Sequence, residues 1–398
     1  RFRSAQAAFS ELNDKTQESI SGIKVIKTFG QEREDIESFR ASSKDVVNKN
    51  LSVARVDALF DPTISVLTGL SYFISIAVGA KYVLEGSLTI GELVSFSTYL
   101  GLLIWPMLAF GYLFNIVQRG NASYDRIAEL LREKTDIIEK TGAIDKQASG
   151  DLEFALSSYT YPGEKKPVLE NISFTLKKGE TLGIVGKTGA GKTTLLKLLL
   201  REFEVTDGII SIGGYSIQDF TLNSLREAIG YVPQEHFLFS ATVGENIAFA
   251  KPNASQHDIK SSAVLAHIHS DIENFPDKYS TVVGERGVSL SGGQKQRISI
   301  ARALMTNPEI LILDDSLSAV DAKTEEIILH NLKEVRKDKT TIITSHRLSA
   351  IQHANLIIVL NEGKISQRGT HEELMKVDGW YKNMYEQQQL EDLVEQGG

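Results

Sequence analysis

The sequence predicts an α-helical membrane domain followed by an α/β domain with a largely parallel sheet. Two long uncharged runs in the first third of the chain predict the membrane helices. After residue 150, short β-rich runs alternate with amphipathic helices, which is typical of a parallel sheet covered by helices. A glycine-rich loop between a predicted strand and a predicted helix, at residues 186–194, is the most specific local feature of the second domain.

Bulk properties set wide limits on function. The chain has 398 residues, which is enough for two or three domains. Its net charge of -8 argues against a nucleic-acid partner, because proteins that bind nucleic acids usually carry a basic excess. The chain has no cysteine, which excludes disulfides and cysteine-ligated metals. It begins at Arg1 rather than Met, so we interpret it as a fragment or a processed product. No signal-peptide pattern is visible at its start.

The two apolar runs predict a membrane hairpin. No charged residue occurs between residues 62 and 80 or between residues 93 and 118. Each run is long enough to cross about 30 Å of hydrocarbon as a helix. A pair of buried helices in a soluble core is the alternative, but the short polar connection between the runs favours a hairpin. We predict spans at about 57–84 and 93–118, within a membrane domain at 1–140.

Basic residues predict the orientation of this hairpin. Lysine and arginine are frequent on both outer flanks, whereas the connection contains only Lys81. By the positive-inside tendency, both flanks are cytoplasmic and the connection is external. Pro106 and the glycines of the second span predict a kink or a close contact between helices. The basic flank residues are Lys44, Lys49, Arg55, Arg119, Arg126 and Arg132.

The predicted cytoplasmic loop at 1–56 contains an apolar cluster inside a polar helical pattern. Gly22 and Gly30 interrupt the pattern and predict a short bend. Such a cluster fits a face that packs on another domain, and it fits an ordinary amphipathic helix as well; spacing alone does not separate the two. The apolar residues are Ile20, Ile23, Val25, Ile26 and Phe29.

Composition marks the next boundaries. Residues 141–150 are small and polar and predict a linker. Residues 151–388 form the predicted α/β domain, which opens with a β-hairpin between residues 152 and 176.

The end of the chain carries a helix signal and then an acidic segment. Thr370 and Glu373 match a capping box and predict the start of one terminal helix. Residues 389–398 form an acidic tail that we expect to fray.

The glycine-rich loop fits the pattern GxxxxGK[ST] of a phosphate-binding loop. It follows a predicted strand at Thr181–Val185 and opens a predicted helix at Thr194–Arg201, which is the context that this motif requires. Backbone N–H groups and the positive end of the helix then hold phosphates, Lys192 reaches the β- and γ-phosphates, and the Thr193 hydroxyl takes Mg²⁺. The alternative is a chance glycine-rich turn. The loop consists of Gly186, Lys187, Thr188, Gly189, Ala190, Gly191, Lys192, Thr193 and Thr194.

Two adjacent acids, Asp314 and Asp315, follow the apolar run at 310–313. The run predicts a buried strand, and a buried carboxylate is costly unless it meets a cation, a metal or hydrogen-bond donors. A nucleotide on a phosphate-binding loop needs a carboxylate at the end of a neighbouring strand to hold Mg²⁺, and Asp314 fits that position. Asp315 is then placed to orient or deprotonate the attacking water, although a structural cap on the turn stays open for it.

Residues 290–294 read LSGGQ, between the phosphate-binding loop and the acid-ended strand. This order resembles the signature of ATP-binding cassette (ABC) proteins. The resemblance implies that Tyr161 stacks on adenine, that Gln234 contacts Mg²⁺ and water, and that His346 lies at the γ-phosphate. It further matches Glu285 to the X-loop of exporters and residues 318–321 to the D-loop. In this family the signature binds the nucleotide of a second cassette, here through Ser291, Gly292, Gly293 and Gln294.

The resemblance extends over the whole chain. The loop at 1–56 resembles the second intracellular loop of exporter-type transporters, which docks on the cassette of the opposite subunit. The two spans resemble the fifth and sixth membrane helices. The resemblance therefore implies the C-terminal part of a six-helix exporter domain, followed by an α/β P-loop nucleotide-binding domain with a helical subdomain.

The same resemblance implies location, cofactors and partners. It implies a multi-pass protein of the cytoplasmic membrane whose cassette lies in the cytoplasm, with ATP and Mg²⁺ as cofactors. The implied partners are membrane lipid, an amphipathic small-molecule substrate and a second homologous half-transporter. Soluble cassette ATPases of DNA repair or translation, and the ATP-binding subunits of importers, share the nucleotide motifs but lack the hairpin. For the transported molecule, the resemblance favours multidrug export, with lipid or peptide export as alternatives.

Asp315 departs from the family pattern, which resembles LDEATSALD and has Glu at this position. Aspartate is one methylene shorter, so its carboxylate falls back by about 1–1.5 Å. A displacement of about 1 Å can lower a rate on the order of 10²-fold. A shortened acid beside an intact LSGGQ and His346 resembles one subunit of a heterodimeric exporter, with a degenerate site of its own and a partner that keeps Glu. The alternative is a homodimer with low turnover.

Overall fold

The computed structural model describes residues 1–284 and 290–397, which form two compact units divided after Glu133. The first unit contains five helices among its described residues. They are α1 (Phe2–Ser21), α2 (Ile23–Thr28), α3 (Glu32–Asp57), α4 (Phe60–Leu84) and α5 (Ile90–Arg132).

Helices α4 and α5 carry the two predicted membrane spans. Their most apolar stretches have mean hydropathies of 1.7 and 1.9, and almost none of those residues is buried against protein. Such exposed apolar surface is the surface that lipid covers. The two helices lie where the sequence predicts the spans, and α5 is longer than the predicted span because its polar continuation beyond residue 118 stays helical to Arg132.

The two hairpin helices approach closely at glycines. A Cβ atom at Gly79 would overlap the Leu93 side chain, and one at Gly101 would overlap the Tyr72 hydroxyl. Small residues permit such close approach of membrane helices, as the sequence predicts. Helix α5 begins at a capping box, in which the Glu92 N–H donates to the Thr89 Oγ1 at 3.2 Å, and it continues through Pro106.

The loop segment forms two long helices with a short one between them. Helices α1 and α3 pack through small buried residues such as Ala8 and Val46, and Lys15 pairs with Asp35 at 3.2 Å. Gly22 ends α1, and Gly30, with a φ of 65°, follows α2, so the predicted bend is confirmed at both glycines.

Two sheets build the second unit. A four-stranded antiparallel sheet has the order β2-β1-β4-β5, and a six-stranded sheet has the order β10-β9-β3-β8-β7-β6. The five strands from β9 to β6 in that second order are parallel, whereas β10 runs antiparallel to β9. The strands are β1 (Leu152–Tyr159), β2 (Leu169–Leu176), β3 (Thr181–Gly186), β4 (Asp207–Ile212), β5 (Tyr215–Ser216), β6 (Ile229–Val232), β7 (Ile310–Asp314), β8 (Thr340–Thr344), β9 (Leu356–Asn361) and β10 (Lys364–Gly369).

Helices cover the parallel sheet and enclose two apolar cores. One core lies between the two sheets and includes Leu152, Ile184 and Leu196; the other lies under the helices that carry the signature and includes Ile259, Ile298 and Leu313. The helices of this unit are α6 (Lys192–Leu199), α7 (Leu222–Glu227), α8 (Val243–Ile247), α9 (Gln256–Leu265), α10 (His269–Glu273), α11 (Gly292–Leu304), α12 (Ala322–Val335), α13 (His371–Met375) and α14 (Trp380–Gly397).

The segment before β1, from residue 134, is hydrogen-bonded to the rest of the second unit along its length. Lys140 pairs with Asp219 at 2.6 Å, the Arg201 guanidinium donates to the Ile138 carbonyl at 3.1 Å, and Ile144 forms a parallel bridge with Phe220. The small and polar composition of residues 141–150 therefore coincides with a strap on the domain surface.

The end of the chain differs from the sequence prediction. The Thr370 and Glu373 capping box is present, but the helix that it starts, α13, ends at Met375. A second helix, α14, then runs through the segment at 389–397 that we expected to fray. The prediction of a single terminal helix was therefore wrong. The chain turns between α13 and α14, and Tyr381 is buried at the start of α14.

Candidate nucleotide site

Four adjacent parallel strands end at the edge where the predicted site residues lie. The order β3-β8-β7-β6 places the ends of these strands side by side. Lys192 follows β3, His346 follows β8, Asp314 ends β7, and Gln234 follows β6. Ligands of open α/β sheets bind outside the carboxyl ends of the strands. The topology therefore brings together residues that are up to about 150 positions apart in sequence.

The loop after β3 has the backbone of an anion cradle. Gly189 and Gly191 have φ values of 81° and 99°, which are left-handed conformations that side chains rarely adopt. A Cβ atom at Gly191 would also lie 2.7 Å from the Leu169 side chain, whereas one at Gly189 would meet nothing. Helix α6 starts at Gly191 with no side chain capping it, so its first N–H groups are available to a bound anion.

Lys192 is a buried cation inside this loop. Its side chain is 9 % exposed, and its Nζ donates to the carbonyls of Gly186 at 2.7 Å and Lys187 at 3.2 Å. Burial lowers the pKa of Lys192, while the charges of Asp315 and Asp314 oppose the shift. No carboxylate forms an ion pair with Lys192 among the residues that the structure describes. A buried ammonium of this kind fits the negative charge of phosphate groups.

Asp314 is almost fully buried at the end of β7, with 2 % exposure. The Thr344 hydroxyl donates to its Oδ1 at 2.6 Å, and the Tyr231 hydroxyl donates to its Oδ2 at 3.2 Å. Burial, followed by the charge of Asp314, raises the pKa of Tyr231, so that this hydroxyl keeps its proton and stays a donor. Both carboxylate oxygens are thereby oriented by neighbouring strands, in a manner that suits a ligand of a hard cation.

Asp315 is half-buried and adopts a left-handed backbone, with a φ of 47°. Its N–H donates to the Thr344 hydroxyl at 2.9 Å, which fixes the backbone against β8. Its Oδ2 lies 3.5 Å from the Gln234 Nε2, at the outer limit of a hydrogen bond. The structure therefore places Asp315 and Gln234 side by side, and the charge of Asp315 acts on the pKa of Lys192.

His346 follows β8 with an exposed side chain. The neighbouring Arg347 donates to the Val320 carbonyl at 3.0 Å and to Glu325 at 3.2 Å, which connects this segment to the residues at 318–321. The backbone of His346 and Leu348 is bonded to Gln388 of helix α14.

Tyr161 lies next to the phosphate-binding loop. Its hydroxyl donates to the Thr194 Oγ1 at 3.0 Å, which fixes the ring beside α6. The ring makes edge contacts with Tyr159 and Phe203, with centroids at 5.3 and 5.0 Å. An aromatic residue held beside the loop in this way suits stacking on a base.

The signature residues start helix α11. Ser291 caps the helix, because its Oγ accepts from the Gln294 N–H at 3.2 Å, and Gln294 also donates to Asp271 at 3.1 Å. A Cβ atom at Gly293 would lie 2.9 Å from the Ala319 carbonyl, so the signature packs on the segment at 318–321. Ser291 and Gly292 are exposed. Glu285, matched to the X-loop, lies outside the described residues.

Sequence reasoning missed two residues of the site, Thr344 and Tyr231. Both hold the carboxylate of Asp314, from strands on either side of β7. The only signal in the sequence is a polar residue near the end of an apolar strand. The pairing itself depends on register, since Asp314 lies opposite Thr344 in the β7–β8 ladder.

Two family matches cover most of the chain. The ABC transporter family matches residues 169–318, and the ABC transporter transmembrane region matches residues 1–107. The first match contains the phosphate-binding loop, the signature and the two acids. The second contains the loop helices α1 to α3, helix α4 and the first part of α5.

Relatives match along nearly the full length of the chain. YheI of Bacillus subtilis (strain 168), described as a probable multidrug resistance ABC transporter ATP-binding/permease protein, is 52% identical over 100% of this chain and 68% of its own length. MdlA of Escherichia coli (strain K12), described as a multidrug resistance-like ATP-binding protein, is 50% identical over 99% of this chain and 67% of its own length.

A solved structure, described as a bacterial Atm1-family ABC exporter with ATP bound, is also similar. It superimposes with a TM-score of 0.86 at 31% identity, over 97% of this chain and 68% of that chain. The chain thus spans about two thirds of the length of the proteins that it matches. Together with the cradle around Lys192, these matches show that the chain belongs to the ABC transporter family, as an ATP-hydrolysing exporter with a transmembrane region and a cytoplasmic ATP-binding domain.

Proposed function

We propose that this chain is one subunit of an exporter of drugs and other amphipathic compounds, and that its own nucleotide site hydrolyses ATP slowly. The names of YheI and MdlA, which both refer to multidrug resistance, support the substrate class. Asp315 is the observation that carries the second half of the proposal. Its backbone N–H is bonded to Thr344 and its side chain is one methylene shorter than that of Glu, so its carboxylate reaches less far toward a bound γ-phosphate than a Glu carboxylate would.

The nucleotide site is assigned residue by residue. Residues 186–194 hold the phosphates, with Lys192 as the charged contact. Thr193, Gln234 and Asp314 hold Mg²⁺, which neutralises phosphate charge when bound. Asp315 and His346 act on the attacking water and the γ-phosphate, and Tyr161 stacks on adenine. The support is that the residues after β3, β6, β7 and β8 lie at the carboxyl edge of the parallel sheet, and that Tyr161 bonds to Thr194 beside the phosphate-binding loop.

The assignment as an exporter subunit also gives the proposed domain division. Residues 1–140 form the membrane domain, with the loop at 1–56 in the cytoplasm; 141–150 form the linker; 151–388 form the cassette; 389–398 form the tail. The two family matches, one on each side of the linker, support this division.

The partner is a second half-transporter that keeps Glu at the position of Asp315. The exposed Ser291 and Gly292 support a partner contact, because exposed signature residues are accessible to a nucleotide held by another cassette. The P-loop half of this cassette then forms the slow site, and its signature half forms the fast site. A homodimer with two slow sites is the alternative.

Lengthening the acid tests the slow site directly. We expect Asp315→Glu to raise single-turnover hydrolysis at this chain's own site by about 10- to 100-fold, because about 1 Å of reach is restored. The measurement uses the assembled transporter with the P-loop lysine of the partner replaced by alanine. The backbone φ of 47° disfavours Glu more than Asp, so thermal unfolding is measured alongside. An unchanged rate in a folded variant would show that reach is not what limits this site.

The short helix α2 is proposed to dock on the partner's cassette. Phe29 is 73% exposed at its end and Val25 is 61% exposed, whereas Ile26, which we predicted to dock with Phe29, is half-buried. An exposed aromatic side chain on a polar loop is typical of a protein contact.

Replacing Phe29 with Asp tests this contact. We expect Phe29→Asp to lower ATP-driven uptake of an amphipathic dye into inverted vesicles by at least about 5-fold while ATP affinity stays unchanged, because the charged side chain cannot enter an apolar pocket. Phe39→Asp, on helix α3 and 38% exposed, is the matched control and should transport normally. If Phe29→Asp transported as much dye per ATP as the unaltered protein, the docking role would be wrong.

A further inference from the structure

The side chain of Gln388 bonds to the backbone of the segment that carries His346. Its Nε2 donates to the His346 carbonyl at 2.7 Å, and its Oε1 accepts from the Leu348 N–H at 2.9 Å. A carbonyl can only accept and an N–H can only donate, so the amide group can satisfy both partners in this one orientation. Gln388 thus replaces the partners that an exposed loop would otherwise find in water.

Helix α14 holds Gln388 in place. Tyr381 is fully buried, with its hydroxyl 2.9 Å from the His371 Nδ1, and Met384 and Tyr385 pack on the apolar core. Gln388 follows these residues at helical spacing and lies on the same face of α14. The amide is therefore presented by an anchored helix, and a long side chain on it loses little further freedom when it bonds.

The two hydrogen bonds of Gln388 lie on either side of Arg347 in the sequence. The Arg347 guanidinium donates to the Val320 carbonyl and to Glu325. The Arg347 N–H donates to the Ser345 hydroxyl at 2.9 Å, next to the end of β8. The backbone that carries His346 is thus fixed from β8 on one side and from α14 on the other. The His346 ring itself is exposed, so its position depends on this backbone.

We propose that Gln388 is a positioning residue for ATP hydrolysis, which holds the backbone on either side of Arg347 so that His346 stays at the carboxyl edge of the sheet. This inference rests on the proposed role of His346 at the γ-phosphate. It makes the terminal helix part of the hydrolytic site, although α14 follows the last strand and contains none of the family motifs.

Single-turnover hydrolysis at this chain's own site tests the inference. The protein is the assembled transporter with the partner's P-loop lysine replaced by alanine. Gln388→Ala is expected to slow hydrolysis about 3- to 10-fold with an unchanged KM for ATP, because two hydrogen bonds that orient the segment are lost but no contact with the nucleotide is removed. The neighbouring Gln389 is exposed, and Gln389→Ala is the matched control that should leave the rate unchanged.

Two further measurements distinguish a positioning role of Gln388 from a general loss of structure in the variant. Amide exchange at Leu348 should accelerate about 10-fold in Gln388→Ala and not in Gln389→Ala, since the acceptor of that N–H is removed. Gln388→Glu should be slow at pH 8, because an ionised carboxylate cannot donate to the His346 carbonyl. Its rate relative to the unaltered protein should begin to recover only as the pH falls below about 5, because a free Glu has a pKa of about 4.3 and protonation restores a donor.

A His346→Ala variant distinguishes failure of the role proposed for Gln388 from failure of the role proposed for His346. If His346→Ala slows hydrolysis at this site and Gln388→Ala does not, the role of Gln388 is wrong while that of His346 stands. If His346→Ala leaves the rate unchanged, the proposed role of His346 is wrong, and the role of Gln388 falls with it. Slower hydrolysis in both, with faster exchange at Leu348, supports the inference.

Discussion

Replacing Gly292 with Asp is expected to lower the steady-state ATPase activity of the assembled transporter at least about 10²-fold. The signature starts helix α11, and in the proposed function this helix end meets the partner's γ-phosphate, so the new carboxylate would be repelled there by a like charge. Removing one preorganised donor from developing charge typically costs about 10²- to 10³-fold in rate. A Cβ atom at Gly292 would lie 3.6 Å from the Ala319 Cβ, which is an ordinary contact, so the fold accommodates the change. Ser291→Ala should act in the same direction, because it removes a hydroxyl donor.

The effect of Gly292→Asp is compared with that of Asp315→Asn, because the heterodimer and the homodimer predict different ratios of the two. In a heterodimer, Asp315 belongs to the slow site, so its replacement should lower total ATPase activity less than about 2-fold. In a symmetric homodimer, the same change should be as damaging as Gly292→Asp. Near-complete loss in both variants would therefore rule out the heterodimer, and Asp315 would be a working base with a shorter reach.

A second serine cap controls for loss of the helix cap. Ser291→Ala removes a side chain that accepts from the Gln294 N–H, and loss of such a cap costs about 1 kcal/mol of stability by itself. Ser255 caps helix α9 in the same way, accepting from the Asp258 N–H at 3.2 Å. Ser255→Ala should lower thermal stability by a similar amount and leave ATPase activity unchanged.

Replacing Lys192 with Ala is expected to weaken ATP binding at this chain's own site about 10²-fold. The buried ammonium has no carboxylate partner among the described residues, so its charge is available to the phosphates. Charge-assisted hydrogen bonds contribute about 1.5–3 kcal/mol each, which sets the scale of the loss. The measurement is equilibrium binding of ATP in the assembled transporter with the partner's P-loop disabled.

The stability of the nucleotide-free protein provides the control for this variant. Burial lowers the pKa of Lys192, so the environment of the side chain without ATP disfavours its charged form. Thermal unfolding of Lys192→Ala is measured with and without ATP, and the variant should lose the stabilisation that ATP adds. Lys187→Ala is the matched variant, because Lys187 is exposed in the same loop and its backbone N–H is retained. Equal ATP affinity in Lys192→Ala and the unaltered protein would remove Lys192 from the site.

The exposed surface of α2 shows where local sequence patterns stop being sufficient. The apolar cluster at residues 20–29 was visible as a pattern, and the two flanking glycines correctly indicated the bend. The pattern could not separate Phe29 from Ile26, because both are apolar and three positions apart. Packing against neighbouring helices leaves the first exposed and the second half-buried.

Local sequence patterns are sufficient to predict two membrane spans, the α/β order and the motifs of the ATP-binding domain. These features are local: a span is a length of uncharged residues, and a phosphate-binding loop is one contiguous run between a strand and a helix. A parallel sheet then places the strand ends at one edge, so the grouping of Lys192, Asp314 and His346 could also be expected.

The side chains that hold these groups in place are visible only in the folded protein. Thr344 meets Asp314 across 30 positions, and Gln388 meets His346 across 42. The first contact depends on the register of β7 against β8, and the second on the turn between α13 and α14 that brings the terminal helix back over the sheet edge. Neither the strand register nor the position of the terminal helix can be predicted from a short segment, because both result from the packing of the whole core.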